Sequence, residues 1–342
     1  MKPLVSILIP AYNAQEWLAE SLRSALEQTW ERTEIIVVDD GSRDQTLRIA
    51  RQFQSKKVRV VSQENQGAAA ARNKCFSLSE GQYIQWLDAD DLLGPDKIYR
   101  QMEALNQDHS NRALLSAEWA WFLFRHHRAC FAPSALWCDL SPVEWLLRKM
   151  ERNLHMQTAT WLVSRELTEA SGPWNTSLLG DDDGEYFCRV LLASDGVRFV
   201  PGAKVYHRRS GSGCLSHIGR SERKMVAQWK SMELHISYIR SLEDSDRVRA
   251  ACLKYLQNWL IFFYPDRPDL VAKANQMAKS LGGRLGEPRL SWKYSWIRGL
   301  FGWKPAKRAQ VTLPAARWAV MRSWDRAMFR IESRAFAGKA GM

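Results

Sequence analysis

Cysteine is sparse and unpatterned in this 342-residue chain. The six residues, Cys75, Cys130, Cys138, Cys188, Cys214 and Cys252, include no C-x-x-C pair, which speaks against a zinc site or a disulfide-stapled scaffold and for a reducing compartment. Long apolar runs are missing too. The aromatic-rich stretch from Trp259 to Tyr264 falls far short of the roughly 18 residues a spanning helix needs. Only Lys2 precedes the first apolar run, which Pro10 and Asn13 break, and no small-residue cleavage site follows, so a secretory signal is not expected. Acidic residues are nearly lacking in the last stretch. From Arg284 onward there are 13 Lys and Arg against 3 acids, so +10 of the net +12 lies there.

What is present is ordinary globular composition, 46% hydrophobic and 25% charged, in a chain long enough for one large domain and an appendage. Apolar strand-like runs alternate with helical spacing over the first third. Leu4 to Ile9, Glu34 to Val38, Val58 to Val61 and Tyr83 to Leu87 read as strands. Glu16 to Gln28, Asp44 to Phe53 and Gly67 to Leu78 read as helices. This order predicts an α/β class with a mostly parallel central sheet flanked by helices. Further on, strands are expected near Ala113 to Ser116 and Val197 to Val200, and a helix near Glu185 to Ala193. From about 220 helical periodicity dominates. The expected division is a catalytic domain at 1–215, with halves 1–95 and 96–215, and a helical, basic, Trp-rich extension at 216–342.

Polar clusters follow the strands, where open α/β sheets bind ligands. Pro10, Ala11, Tyr12 and Asn13 follow the first. Asp39, Asp40, Gly41, Ser42, Arg43 and Asp44 follow the second, either as a turn and helix cap or with Asp40 accepting from a base or ribose while Tyr12 packs on the ring. Gly67 opens the third helix and permits close backbone approach, and Arg72, one turn in, is in reach of a diphosphate or base unless it is a surface arginine. Asp88, Asp90 and Asp91 repel one another unless they meet a cation, and their hard oxygens suit Mg²⁺ or Mn²⁺, although a solvated acidic turn has the same composition. Asp181, Asp182 and Asp183 precede an apolar helix, where acids are also favoured by the helix dipole.

Together these segments, VSILIPAYN, IIVVDDGSRDQT, ENQGAAAARN and WLDADD, resemble glycosyltransferase family 2, in the family's order and at family-like spacing. The resemblance implies the GT-A (nucleotide-diphospho-sugar transferase) fold with a C-terminal helical extension. It further implies an inverting, metal-dependent transfer of a sugar from a nucleotide-diphospho-sugar, a UDP-sugar favoured, to a hydroxyl of a glycan or glycolipid acceptor. It places Pro10, Tyr12 and Asp40 at the base, with Gly67 and Arg72 close by, Asp88 at the ribose and metal shell, and Asp90 as principal metal ligand. Matching Arg189 to the family's arginine puts the catalytic base at Asp183, with Asp182 beside it. His207 is a looser match for a contact to metal or phosphate, and Arg208 and Arg209 before Ser210, Gly211, Ser212 and Gly213 for a loop over the diphosphate. An acceptor pocket is expected from the 130–180 region, where Trp137, Trp161 and Trp174 offer stacking surfaces.

Two other classes fit parts of the sequence. A non-catalytic nucleotide-sugar binder would keep the fold, but the full acidic set speaks against it. Nucleic-acid binding would use the basic, Trp-interleaved tail, yet the expected site is acidic, so nucleic acid is not an expected partner. The tail reads instead as a peripheral anchor on an anionic membrane, holding the enzyme at the cytoplasmic side. Trp292, Trp296, Leu300 and Phe301 sit among Lys293, Arg298 and Lys304, and Trp318, Met321, Trp324, Met328 and Ile331 recur at helical spacing.

Overall fold

A computed structural model describes residues 2–106, 112–210, 221–288 and 290–340. Its first compact unit comprises residues 1–121 and 130–248, and its second residues 122–129 and 249–342. The first unit thus continues beyond 215, for a packing reason given below.

The first unit opens with β1 (Val5–Ala11), α1 (Leu18–Leu26), β2 (Thr33–Asp40), α2 (Thr46–Gln52), β3 (Val58–Gln63), α3 (Ala68–Ser77) and β4 (Tyr83–Trp86). β1 and β2 are apolar on both faces because both faces are covered; Ile7, Leu8 and Ile9 are fully buried, each contributing about 1.5–3 kcal/mol. The Ala run of α3 lets that helix lie against β1 and β2 with Ala69, Ala71 and Cys75 inside. α1 turns Leu18, Leu22 and Ala25 to the same core.

The chain continues through β5 (Leu92–Leu93), α4 (Lys97–Asn106), β6 (Ala113–Phe122), α5 (Pro142–Arg152), β7 (Val163–Ser164), α6 (Arg165–Ser171), α7 (Asp182–Ala193), β8 (Gly196–Arg208) and α8 (Glu222–Leu242). The main sheet has the order β3-β2-β1-β4-β7. Its first four strands are parallel and β7 runs antiparallel to β4. A second sheet, β5-β8-β6, stands beside it, and β8 is three times longer than the sequence pattern indicated because its faces alternate in burial. α8 packs on α7 with Trp229, Met232 and Ile236 buried, which carries the first unit on past residue 215.

The second unit is helical: α9 (Asp246–Phe263), α10 (Pro268–Ser280), α11 (Ser295–Phe301) and α12 (Trp303–Ala340). Lys307 on α12 donates to the carbonyls of Phe262 and Tyr264 and pairs with Asp266 at 2.9 Å, satisfying the open end of α9. Segment 122–129 is tied to α12 by Arg125, which bonds Asp325 at 2.7 Å and Glu332 at 2.9 Å, while Asp325 also accepts from the Phe124 N–H. No helix among the described residues is long and apolar enough to cross a membrane. No disulfide joins the described cysteines.

Candidate functional site

The carboxyl ends of β1 and β2 form the first wall. Pro10 and Ala11 pair in register with Val38 and Asp39, and the loop beyond β1 is tied to the loop beyond β2. Asn13 N–H donates to Ser42, Ala14 N–H to Thr46, and Arg43 N–H to Asn13 Oδ1. Tyr12 is left half-exposed at this rim. Gly41 has φ +70°, and a Cβ there would meet the Asn65 nitrogen at 2.8 Å, so glycine is required for the two loops to close.

The two aspartates ending β2 have different surroundings. Asp40, one of the expected ligand contacts, has both carboxylate oxygens engaged by protein: Oδ1 accepts from Gln63 and the Gln66 N–H, and Oδ2 from the Gly67 N–H at 2.8 Å. It pins the turn that starts α3, with Gly67 at φ +90°. Its neighbour Asp39 accepts from Ser42 N–H and Ser62 through Oδ2, while its buried Oδ1 has no partner among the described residues. A buried acceptor in want of a donor is costly unless a ligand supplies one. The sequence singled out the second aspartate of the pair; nothing in it distinguishes which carboxylate the following loop will occupy.

Arg72 is the joint of the site. It projects from α3, buried, with its guanidinium 4.4 Å from the centre of the Trp174 ring. Nη2 donates to Asp88 at 2.9 Å and Nη1 to Asp182 at 2.7 Å. Burial opposes its charge, but Asp88 and Asp182 more than compensate and hold it above the usual arginine range. Arg72 thus brings the acidic cluster at Asp88 and the one at Asp181 to Asp183 together around one planar fork.

Beyond Asp88, burial and the neighbouring Asp91 and Asp88 push the Asp90 carboxyl up to about 7. Asp91 is fully buried and acts as a pin, accepting from the Arg208 N–H, from His207 Nδ1 at 3.0 Å and from Gln157. Burial disfavours charge on His207, but Asp91, with Asp90 and Asp88 behind it, lifts it to about 9. With Nδ1 on a carboxylate, the ring turns Nε2 away from Asp91, the second-shell arrangement typical of metal-binding histidines. A hard cation fits this donor set. It would relieve the crowded carboxylates of Asp90 and Asp88. Among the described residues no group of three such side chains is placed to hold an ion on its own, so an ion here would draw the rest of its shell from phosphate oxygens or water. Arg208 is interior rather than part of a phosphate loop: it pairs with Glu20 at 2.5 Å, donates to the Asp90 carbonyl and lies over Trp17. The Gly211, Ser212 and Gly213 part of that expected loop lies outside the described residues.

The three aspartates at the start of α7 divide by partner. Asp181, at φ +53°, accepts from Ser231 at 2.6 Å and Gln228 on α8. Asp182 holds Arg72. Among the described residues Asp183 has only a 3.4 Å contact from the Thr158 hydroxyl, and burial, then the charges of Asp182 and Asp181, raise it to about 6 against the opposing pull of Arg72. Arg189 does not reach it; that arginine pairs with buried Glu185 and with the Ser171 and Pro173 carbonyls.

Two of the expected stacking residues are core. Trp161 packs on Phe187 and Trp174 on Tyr186 at 4.0 Å, both buried, and Trp137 stacks on Phe199. Sequence reasoning missed Gln157 and Thr158, whose short 3₁₀ turn (Thr158–Thr160) touches Asp91 on one side and Asp183 on the other. No motif marks them.

Residues 6–134 match the family model described as Glycosyl transferase family 2. TuaG of Bacillus subtilis, a putative teichuronic acid biosynthesis glycosyltransferase, is 41% identical over 105 residues, which are 30% of this chain and 42% of that protein. Chondroitin synthase of Escherichia coli is 42% identical over 110 residues, 32% of this chain and 16% of that one. The chain thus spans less than half the length of these relatives. The crystal structure of S. aureus TarS 1–349 in complex with UDP-GlcNAc shares the fold, with a TM-score of 0.66 at 17% identity over 81% of each chain. The GT-A architecture expected from the motifs is the one found, and residues 6–134 are similar to glycosyltransferase family 2, the family the motifs resemble.

Proposed function

We propose that this chain is an inverting glycosyltransferase that uses a divalent cation, Mg²⁺ or Mn²⁺, to transfer a sugar from a UDP-sugar to a hydroxyl of a surface-polysaccharide, lipopolysaccharide or other glycan acceptor. The observation that carries this reading is the Arg72 fork, which brings Asp88 of the strand-end acidic cluster and Asp182 of the α7 cluster to one place. A donor-side acid group and an acceptor-side acid group meet there, as displacement at an anomeric carbon requires.

In this reading Asp39 receives an N–H of the base through its partnerless Oδ1, Tyr12 covers the ring, and Pro10 shapes the floor. Asp40 and Gly67 act on the nucleotide through the turn they hold. Asp88, Asp90 and His207 would hold the cation, which when bound offsets charge on the departing diphosphate. Asp183, lifted to about 6, is ionised at neutral pH yet basic enough to take the acceptor proton as the oxygen attacks. Asp182 and Arg72 keep it in place. The relatives' printed roles in teichuronic acid and chondroitin synthesis, and the UDP-GlcNAc of TarS, support a UDP-sugar donor and a polysaccharide product. The second unit is assigned to an anionic membrane surface on the cytoplasmic side.

Nucleotide release from UDP-, GDP- and dTDP-sugars with Mn²⁺ is the direct assay. Asp90→Ala is expected to abolish turnover together with Mn²⁺-dependent UDP binding. Asp183→Asn should leave donor affinity near normal while kcat falls about 10²–10⁴-fold. Near-normal rates for Asp183→Asn, or full activity of Asp90→Ala at low Mn²⁺, would contradict the assignment.

A further inference from the structure

The site has an open aromatic wall that the reaction as described does not use. Trp121 on β6 is 40% exposed although it belongs to the same compact unit as the acidic centre. Its ring lies 4.6 Å from His207 and 5.1 Å, edge to face, from Trp119, whose ring is in turn 5.1 Å from His155. The Arg209 guanidinium sits 4.8 Å from the Trp121 centroid. His155 is exposed. Leaving a large indole half in water beside two imidazoles and a guanidinium is a poor way to build a core, while it matches how a flat ligand with an apolar face and a polar rim is received.

We infer that Trp121, with His155 and Arg209 at its edge, is the subsite that holds the acceptor sugar. This rests on the glycosyltransferase reading above. A pyranose presents a face of C–H groups to an indole and a rim of hydroxyls to the side chains around it; the Arg209 guanidinium and the His155 imidazole supply those rim partners. The location fixes which sugar is meant. His207, packed on Trp121, is bonded to Asp91, and Asp91 is bonded by Gln157. Thr158, the next residue, bonds Asp183, and His155 stands two residues before Gln157. One short segment, 155–158, therefore carries part of the wall and supports the base. The contacts from Trp121 through His207, Asp91 and the 157–158 turn lead to the Asp183 side of the acidic centre, whereas the nucleotide wall is at the ends of β1 and β2.

Saturation-transfer NMR with four methyl glycosides, the α- and β-anomers of glucose and N-acetylglucosamine, in the presence of UDP and Mn²⁺ tests the site on the full chain. At least one glycoside should receive saturation from the wild type, and Trp121→Ala should weaken it about tenfold or more, the loss of one good stacking contact. Trp121→Phe should retain most of it. UDP affinity and the melting temperature of both variants should stay at wild-type values, which separates the subsite from folding and from the donor pocket. No transfer to any glycoside by a wild type that binds UDP overturns the subsite. So does unchanged glycoside binding in Trp121→Ala, or an equal loss of UDP affinity there, which would give Trp121 to the donor. A wild type that fails to bind UDP instead removes the functional reading on which the subsite depends.

Discussion

Asp181, Asp182 and Asp183 are indistinguishable as sequence: three identical acids ahead of an apolar helix, any of which would suit the helix dipole. Only long-range partners sort them, since Ser231 and Gln228 come from α8 and Arg72 from α3. What remains is Asp183, held up to about 6 by burial and by Asp182 and Asp181. Because the ionised form is the base, kcat should rise with pH through about 6 and level off above it. Asp182→Asn removes the larger of the two neighbouring charges, so the acidic limb should move to lower pH in that variant. Stability carries the opposite sign. A carboxyl raised above its unfolded value of 3.8 contributes stability that is present below that value and lost as pH rises through about 6. Asp183→Asn should therefore melt a few degrees higher than wild type at pH 8 and show little difference at pH 4. A kcat profile flat from pH 5 to 8, or an Asn variant that melts lower at pH 8, would exclude this account of the group.

The parallel strands could be read from the chain because β1, β2 and β4 are short, mostly apolar runs that end at Pro10, at Asp39 and Asp40, and just before Asp88, and α3 because its alanines begin right after a glycine. β8 could not be read to its full length, because Gly202 and the alternation of buried and exposed residues hide a 13-residue strand. The aromatic residues were least legible: Trp161, Trp174 and Trp121 have no spacing that tells core from cleft, and burial alone assigns them. The end of β2 shows the same limit on a smaller scale. Asp39 and Asp40 look alike until the turn at 65–67 folds back on the second of them. Two variants separate the roles. Asp40→Ala strands the Gln66 and Gly67 N–H groups and should cost about 2–3 kcal/mol of stability with a secondary loss of UDP affinity. Asp39→Asn keeps its shape and should leave the melting temperature nearly unchanged while UDP binding falls about tenfold, as for one charge-assisted hydrogen bond. Calorimetric titration with UDP and thermal melting of both variants give the comparison. If Asp39→Asn binds UDP normally and Asp40→Ala is stable but does not bind, the two roles are exchanged.

At the scale of the whole chain, the net positive charge is lodged in the second unit, and so are most of the large exposed apolar groups among the described residues. Trp292, Trp296, Leu300 and Phe301, around α11, are all exposed, Trp292 at 80%. On α12 one side is taken up within the unit, with Asp325 and Glu332 on Arg125 and Phe329 against Phe124. Leu313, Val320, Trp324 and Ile331 are exposed, and their spacings of 7, 4 and 7 place them within about 40° of one another on the helix. That stripe is narrower than the sequence pattern proposed. Met328 is only partly exposed, and Trp318 lies about 120° round from Trp324. Exposed tryptophan and leucine beside Lys293, Lys304, Arg308 and Arg317 complement a surface that is apolar beneath and anionic above, each nearby cation contributing about 1 kcal/mol. An RNA partner would use the same cations but gives no reason for Leu313, Val320 and Ile331 to face water. Full-length protein should co-sediment with phosphatidylcholine vesicles containing 30% phosphatidylglycerol (roughly the anionic content that gives such surfaces their potential) and much less with pure phosphatidylcholine, the difference shrinking as salt rises. Combined Trp296→Ala and Leu300→Ala, or Trp324→Glu, should reduce the bound fraction without changing nucleotide release in solution. Equal sedimentation with both vesicle types, or variants that bind like wild type, would remove the membrane from the account and leave the exposed stripe without an assigned partner.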